Sequence, residues 1–162
     1  MVVYIDTSVI VAAIDRGDGR NKEAEKFLLR EKEKVISPLV LTEIFSVVSR
    51  NSDRLTGFDV EIDEEDLPAI IARLSVKKYG LKLLYSFDKE FTIFGETPAE
   101  VKLAFTLAPK LKLRTLDLLH LSNAWNFKLN GYGVDEFATF DRGILDKADG
   151  IEKLTDIKVV EP

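Results

Sequence analysis

The sequence predicts an α/β fold, a parallel sheet with helices on both faces, and three observations lead there. The chain opens on a short apolar run, Val2-Val3-Tyr4-Ile5, that reads as a buried strand. Asp6-Thr7-Ser8 follows and leads at once into Val9, Ile10 and Val11, so a helix begins where the strand ends. Further short β-rich runs then alternate with helical patterns along the chain, which is the signature of a parallel sheet. At 162 residues the chain is most economically one domain, 1–162, with enough length to bury a sizeable core.

Composition narrows the function classes. Hydrophobic residues make up 46% and charged residues 31%, the balance of an ordinary globular chain rather than a disordered one. No apolar run approaches the ~20 residues of a membrane span. The first apolar stretch has no basic residues before it and carries Asp6, unlike a signal peptide. Cysteine is absent, which excludes disulfides and thiolate chemistry and fits a cytoplasmic location. A net charge of −5 argues against a general nucleic-acid binder, yet leaves room for a site where cations and a local basic rim offset the acids.

The elements follow in order. Residues 7–15 form the first helix, broken by Gly17-Asp18-Gly19. Asn21 to Lys34 is a second helix with Ala24, Phe27 and Leu28 on one side. Val35-Ile36 is a short strand. Ser37-Pro38 is a helix start, with Ser as N-cap and Pro at the first helical position. The helix from Leu39 to about Ser49 is apolar nearly all round and therefore expected to be buried, with Glu43 inside it. Residues 50–63 read as a loop. Glu64 to Tyr79 is helical with Ile70, Ile71 and Leu74 inward and Gly80 as its stop. Leu81–Phe87 and Phe91–Phe94 read as strands joined by a turn at Asp88-Lys89-Glu90. Thr97-Pro98-Ala99-Glu100 has the pattern of a capping box for a helix to about Ala108, ended by Pro109. Thr115 opens an apolar helix, Leu116 to about Lys128, that carries Asp117 and the only histidine, His120. Glu136–Phe140 is a strand with Asp141 at its end, and Ile157–Val160 is the last strand.

Four acids stand out, each with an ordinary alternative. Asp6 and Asp141 suit helix caps, and Asp117 suits the dipole at a helix start. Glu43 is harder to explain that way, because it lies past the first turn with Val40 and Val47 on its face. A carboxylate there either faces a gap in the packing or costs several kcal/mol in desolvation. If the four meet, each pair of charges about 4 Å apart repels by ~4 kcal/mol at an effective dielectric of 20. Such a cluster persists by taking up protons or a cation. Oxygen ligands without cysteine favour Mg²⁺ or Mn²⁺, ions that neutralise charge on a phosphodiester and supply an attacking water. His120, one turn from Asp117, reads as a helix-surface or packing histidine in preference to a metal ligand or general base.

The segments "VVYIDTSVIVA", "SPLVLTEIFSVV", "LRTLDLLHLSNAW" and "FATFDRGI" occur in an order that resembles the PIN-domain ribonucleases, including VapC-type toxins of toxin–antitoxin pairs. Together they span nearly the whole chain. The resemblance implies a parallel sheet with flanking helices, Mg²⁺- or Mn²⁺-dependent cleavage of single-stranded RNA, a small antitoxin partner and a homodimer. It places metal-binding and catalytic roles on Asp6, Glu43, Asp117 and Asp141, with Ser8 helping to hold the first acid. Two departures accompany it. Additional sequence lies between about residues 50 and 114, and only Asp146 and Asp149 are available where some family members carry a further acid.

Lys110, Lys112 and Arg114 before the Asp117 helix, and Arg142 after Asp141, are candidate phosphate contacts. Trp125 and Tyr132 are candidate base-stacking groups, although core packing is the better reading of a lone Trp in an apolar helix. Three other readings remain open at this level: RNA processing or quality control by a related nuclease, a phosphatase with Asp6 as nucleophile, and an inactive interaction module. The phosphatase wants a second Asp two residues on, where this chain has Ser8.

Overall fold

The structure, a computed structural model, describes residues 1–51, 63 and 65–162. Five parallel strands form the central sheet: β1 (Val2–Ile5), β2 (Glu33–Ile36), β3 (Leu81–Leu83), β6 (Val134–Ala138) and β7 (Lys158–Val160), in the order β3-β2-β1-β6-β7. An antiparallel hairpin, β4 (Lys89–Thr92) with β5 (Gly95–Pro98), stands apart from it. The flanking helices are α1 (Thr7–Ile14), α2 (Asn21–Leu28), α3 (Pro38–Arg50), α4 (Leu67–Tyr79), α5 (Ala99–Leu111), α6 (Thr115–Leu129), the single turn α7 (Arg142–Leu145) and α8 (Ala148–Thr155). The expected α/β fold with its parallel sheet is the one observed.

β1 is the middle strand, and all four of its residues are buried. Covered on both faces, it has no solvent side to alternate with, which explains its unbroken apolar run. Tyr4 stacks on Phe137 of β6 with ring centroids 5.2 Å apart, and Phe127 of α6 lies 6.2 Å away. The chain leaves β1 toward β2 and β3 and returns on the other side as β6. The connections therefore diverge at the carboxyl ends of β1 and β6, the place where open α/β sheets form a crevice. Asp6 follows β1 directly, and Asp141 lies just past β6.

Several boundaries differ from the sequence expectation, each for a physical reason. α2 ends at Leu28 rather than Lys34, because Glu33, Lys34 and Val35 pair with β1 and Lys34 is buried there, its Nζ bonded to the Arg30 and Lys32 carbonyls. α3 is not buried all round. Val40, Ile44 and Val48 form its inner stripe, while Phe45 is exposed. In α4, which begins at Leu67, Ile71 is buried but Leu74 is exposed; Gly80 ends it in the left-handed region at φ 60°, as expected. Most of the expected 50–63 loop lies outside the described residues.

The hairpin turn falls at Ile93-Phe94, and Lys89 and Glu90 are strand residues rather than the turn. Thr97 is drawn into β5, so the expected capping box does not form and Pro98 precedes α5 without a side-chain cap. α5 runs past Pro109 to Leu111, whose burial holds the last half-turn before Lys112 turns left-handed at φ 54°. β3 stops at Leu83, and β6 spans Val134–Ala138 instead of 136–140. α8 is an element the sequence reading did not identify.

Around the hairpin the surface is unusually apolar. Phe87, Phe91, Ile93 and Phe94 are each more than three-quarters exposed. Tyr85 stacks on Phe87 and Phe94 meets Phe105 edge-on, so the aromatics contact one another rather than the core.

Candidate metal centre

Asp6 extends the β1 ladder, its amide donating to the Ala138 carbonyl at 3.0 Å. Although it sits at the N-cap position of α1, its side chain makes no capping bond. Instead Oδ2 accepts from Ser8 Oγ at 2.6 Å and from Thr139 Oγ1 at 2.7 Å. Those hydroxyls are held in turn: the Phe140 amide donates to Ser8 Oγ and the Asp141 amide to Thr139 Oγ1. The strand-to-helix turn after β1 and the loop after β6 thus lock one carboxylate between them. Both hydrogen bonds land on Oδ2, and Oδ1 is the oxygen 3.8 Å from His120 Nε2.

Glu43 comes from the middle of α3, and its neighbours answer the question the sequence raised. It is only half-buried and faces a cleft of about 360 Å³ lined by Asp6, Ser8, Glu43, Arg50, Asp117 and Asp141, among others. Its Oε2 accepts from Thr7 Oγ1 at 2.5 Å and lies 2.6 Å from His120 Nε2. Desolvation pushes this carboxyl up, but the bonds from His120 and Thr7 outweigh it and hold Glu43 below its ordinary value. His120 is displaced the other way. Burial pulls its imidazole down, and the bond to Glu43 with the charges of Asp6, Glu43 and Asp117 lifts it above the usual histidine value.

Asp117 sits in the first turn of α6, and its carboxyl is raised by desolvation, then by the charges of Asp141 and Asp6. A backbone hydrogen bond from Arg114 and that residue's charge offset this rise only in part. Asp141 reaches the same cleft but also fulfils its ordinary role, Oδ1 accepting from the Gly143 amide at 2.7 Å and from the Ile144 amide at 3.4 Å to cap α7.

Among the described residues, the tightest set of possible ligand atoms is Asp6, Glu43 and His120, all within 4.8 Å of one another. Asp117 and Asp141 line the cleft beside this set without joining it at that distance. Four carboxylates on one cleft, with Asp117 raised by desolvation and then by the charges of Asp141 and Asp6, are what a hard divalent cation would relieve. The residues fit such an ion.

Other candidates fall elsewhere. Arg142 pairs with Glu161, Nη2 to Oε1 at 2.9 Å, at an exposed position. Lys110, Asp146 and Asp149 line a separate pocket. Lys112 and Arg114 are exposed; Arg114 bonds Asp117 through its backbone, and its charge also reaches that acid. Trp125 packs against the core, and Tyr132 lies edge-on to Phe127; neither lines the cleft.

A family model for the PIN domain matches residues 3–150. The chain belongs to the PIN domain family. This PIN domain has the fold of two solved structures at 14% identity. VapBC2 from Rickettsia felis, bound to a DNA fragment from its promoter, superposes with TM-score 0.58 over 100% of this chain and 99% of the other. VapBC-1 from nontypeable Haemophilus influenzae does so with TM-score 0.57 over 99% and 98%. No curated protein matches the chain.

Three residues lining this PIN domain's cleft, Thr7, His120 and Arg50, and the buried Thr139 that bonds Asp6, are not assigned to a site from the sequence. Arg50 had a signal, lying two helical turns after Glu43 and hence on its face. His120 had one too, three residues after Asp117, but its bond to Glu43 spans 77 positions in sequence.

Proposed function

We propose that this PIN domain is a divalent-metal-dependent endoribonuclease that cleaves single-stranded RNA, acting as the toxin of a toxin–antitoxin pair. The observation that carries the reading is the convergence of Asp6 and Glu43, with Asp117 and Asp141, on one cleft at the sheet's switch point. Asp6, Glu43, Asp117 and Asp141 hold Mg²⁺ or Mn²⁺. Bound there, the ion offsets negative charge building on the scissile phosphodiester and acidifies water at the site. Ser8 and Thr139 fix the Asp6 carboxylate, and Thr7 with His120 fixes Glu43. Arg114, whose charge reaches Asp117, is the proposed contact for a backbone phosphate.

The phosphatase alternative loses ground, because the Ser8 hydroxyl is committed to bonding the Asp6 carboxylate. An antitoxin partner is supported by the likeness to two VapBC complexes and by the exposed aromatics near the hairpin, since contiguous apolar surface marks interaction sites. The cytoplasmic location is proposed on the absence of cysteine, and the homodimer on the family resemblance. Incubation with single-stranded RNA tests the reading. Cleavage with Mn²⁺ that stops in excess EDTA and in Asp6→Asn supports it; undiminished cleavage in EDTA contradicts it.

A further inference from the structure

Three polar side chains lie in the core beneath the cleft and lead to a single acid. Ser37 Oγ is 2.7 Å from the Tyr4 hydroxyl, which is 3.1 Å from His120 Nδ1, and His120 Nε2 is 2.6 Å from Glu43 Oε2. Ser37 and Tyr4 are fully buried, and His120 is 2% exposed. Burying such groups is tolerable only when each finds a partner, and here each does.

Packing alone does not account for this line. Phenylalanine at position 4 would keep the stacking on Phe137 and shed the hydroxyl. Ser37 stands at the N-cap position of α3 yet makes no capping bond, so its side chain is not spent on the helix. The relay's one hydrogen bond to an acid is at the Glu43 carboxylate, with Asp6 Oδ1 farther off, 3.8 Å from the same nitrogen.

We propose that Ser37, Tyr4 and His120 form a positioning relay that holds the Glu43 carboxylate in the orientation needed to bind a divalent ion, His120 supporting that acid rather than ligating the ion. Both ring nitrogens are already engaged, one by the Tyr4 hydroxyl and one by Glu43, which leaves His120 no lone pair to offer. Tyr4 is itself held in the central strand, fully buried and stacked on Phe137, so the relay is anchored in the middle of the sheet. Groups of this outer kind typically change metal affinity or activity 10- to 100-fold when removed. The inference rests on Glu43 being a metal ligand, as proposed above.

His120 is the only histidine, so its ring signals in a nuclear magnetic resonance spectrum need no assignment. Tyr4→Phe removes one oxygen and keeps the ring. The relay predicts that Tyr4→Phe shifts and broadens the His120 signals, weakens Mn²⁺ binding in calorimetry by about tenfold, and lowers kcat on single-stranded RNA with KM little changed. With saturating Mg²⁺, the wild-type ring nitrogens keep their hydrogen-bonded signatures. Unchanged His120 signals and unchanged Mn²⁺ affinity in Tyr4→Phe overturn the proposal, and so does a ring nitrogen directly coordinated to the ion. Should Tyr4→Phe fold poorly, Ser37→Ala tests the same line from its other end. A wild-type protein that neither binds Mn²⁺ nor cleaves RNA defeats the nuclease reading and this inference's metal role together. Normal wild-type binding with an indifferent Tyr4→Phe defeats the relay alone.

Discussion

Thr139 and Asp6 are joined by a 2.7 Å hydrogen bond, and the same threonine oxygen accepts the Asp141 amide at 2.9 Å. One buried hydroxyl therefore ties the acid after β1 to the backbone of the acid after β6. Thr139→Val keeps the shape and removes the donor, leaving Asp6 Oδ2 with Ser8 alone. A hydrogen bond to a charged group contributes about 1.5–3 kcal/mol, so urea unfolding of metal-free Thr139→Val is expected to show a loss of that order. RNA cleavage is expected to fall as Asp6 loses its fixed orientation. A variant as stable and as active as the wild type would show that Ser8 suffices.

Asp117 reports on repulsion in the cleft. Its carboxyl is raised by desolvation and by Asp141 and Asp6, so the folded state holds its proton to higher pH than the unfolded chain does. Stability then falls as pH rises from the ordinary aspartate value through the raised one. Asp117→Asn removes this penalty at neutral pH. We expect a higher Tm than wild type in EDTA, a smaller rise on adding Mn²⁺, and loss of cleavage. A lower Tm in EDTA would mean that the carboxylate is stabilised rather than strained.

The pair Glu43 and His120 sets a second pH dependence. Glu43 is held below its ordinary value, so its contribution is present above that value and fades as pH falls through the lowered one. His120 is lifted above its ordinary value, so its contribution is complete below that value and is lost as pH rises through the raised one. Their joint contribution is greatest between the lowered glutamate and raised histidine values. Urea unfolding of the metal-free protein from about pH 3 to 9 should show this plateau, and His120→Gln should flatten both edges.

The exposed aromatics give a prediction about association. Phe91 and Ile93 touch solvent along most of their surface, and neither lines the cleft. Phe91→Thr with Ile93→Asn is expected to change stability by no more than about 0.5 kcal/mol and to leave RNA cleavage intact. Binding of a cognate antitoxin, followed by calorimetry, is expected to weaken at least tenfold. Unchanged affinity would move the partner surface elsewhere on the domain.

How far the sequence discloses this arrangement depends on the range of the interactions involved. β1 and Asp6 are legible because an apolar run ending in an acid is a local pattern, and Glu43 is legible because a carboxylate among core residues conflicts with its own helix. Asp117 and Asp141 follow from their place at the starts of helices beyond the sheet. The partners that position these acids were not legible. Thr7 and His120 are ordinary helix residues and Thr139 an ordinary loop residue just past β6, and only folding brings His120 against Glu43 or Thr139 against Asp6. The capping box at Thr97 was overread because a hairpin claimed that residue, and α3 was expected to be buried all round because nothing local shows that its outer face has no neighbour.

The central claim is that acids distant in sequence form one pocket for a divalent ion. Calorimetric titration of the metal-free protein with Mn²⁺ tests it most directly. The account predicts saturable binding by the wild type that is lost or greatly weakened in both Asp6→Asn and Glu43→Gln, with each variant still folded. Absence of binding in the folded wild type, or equal binding in all three proteins, would contradict it.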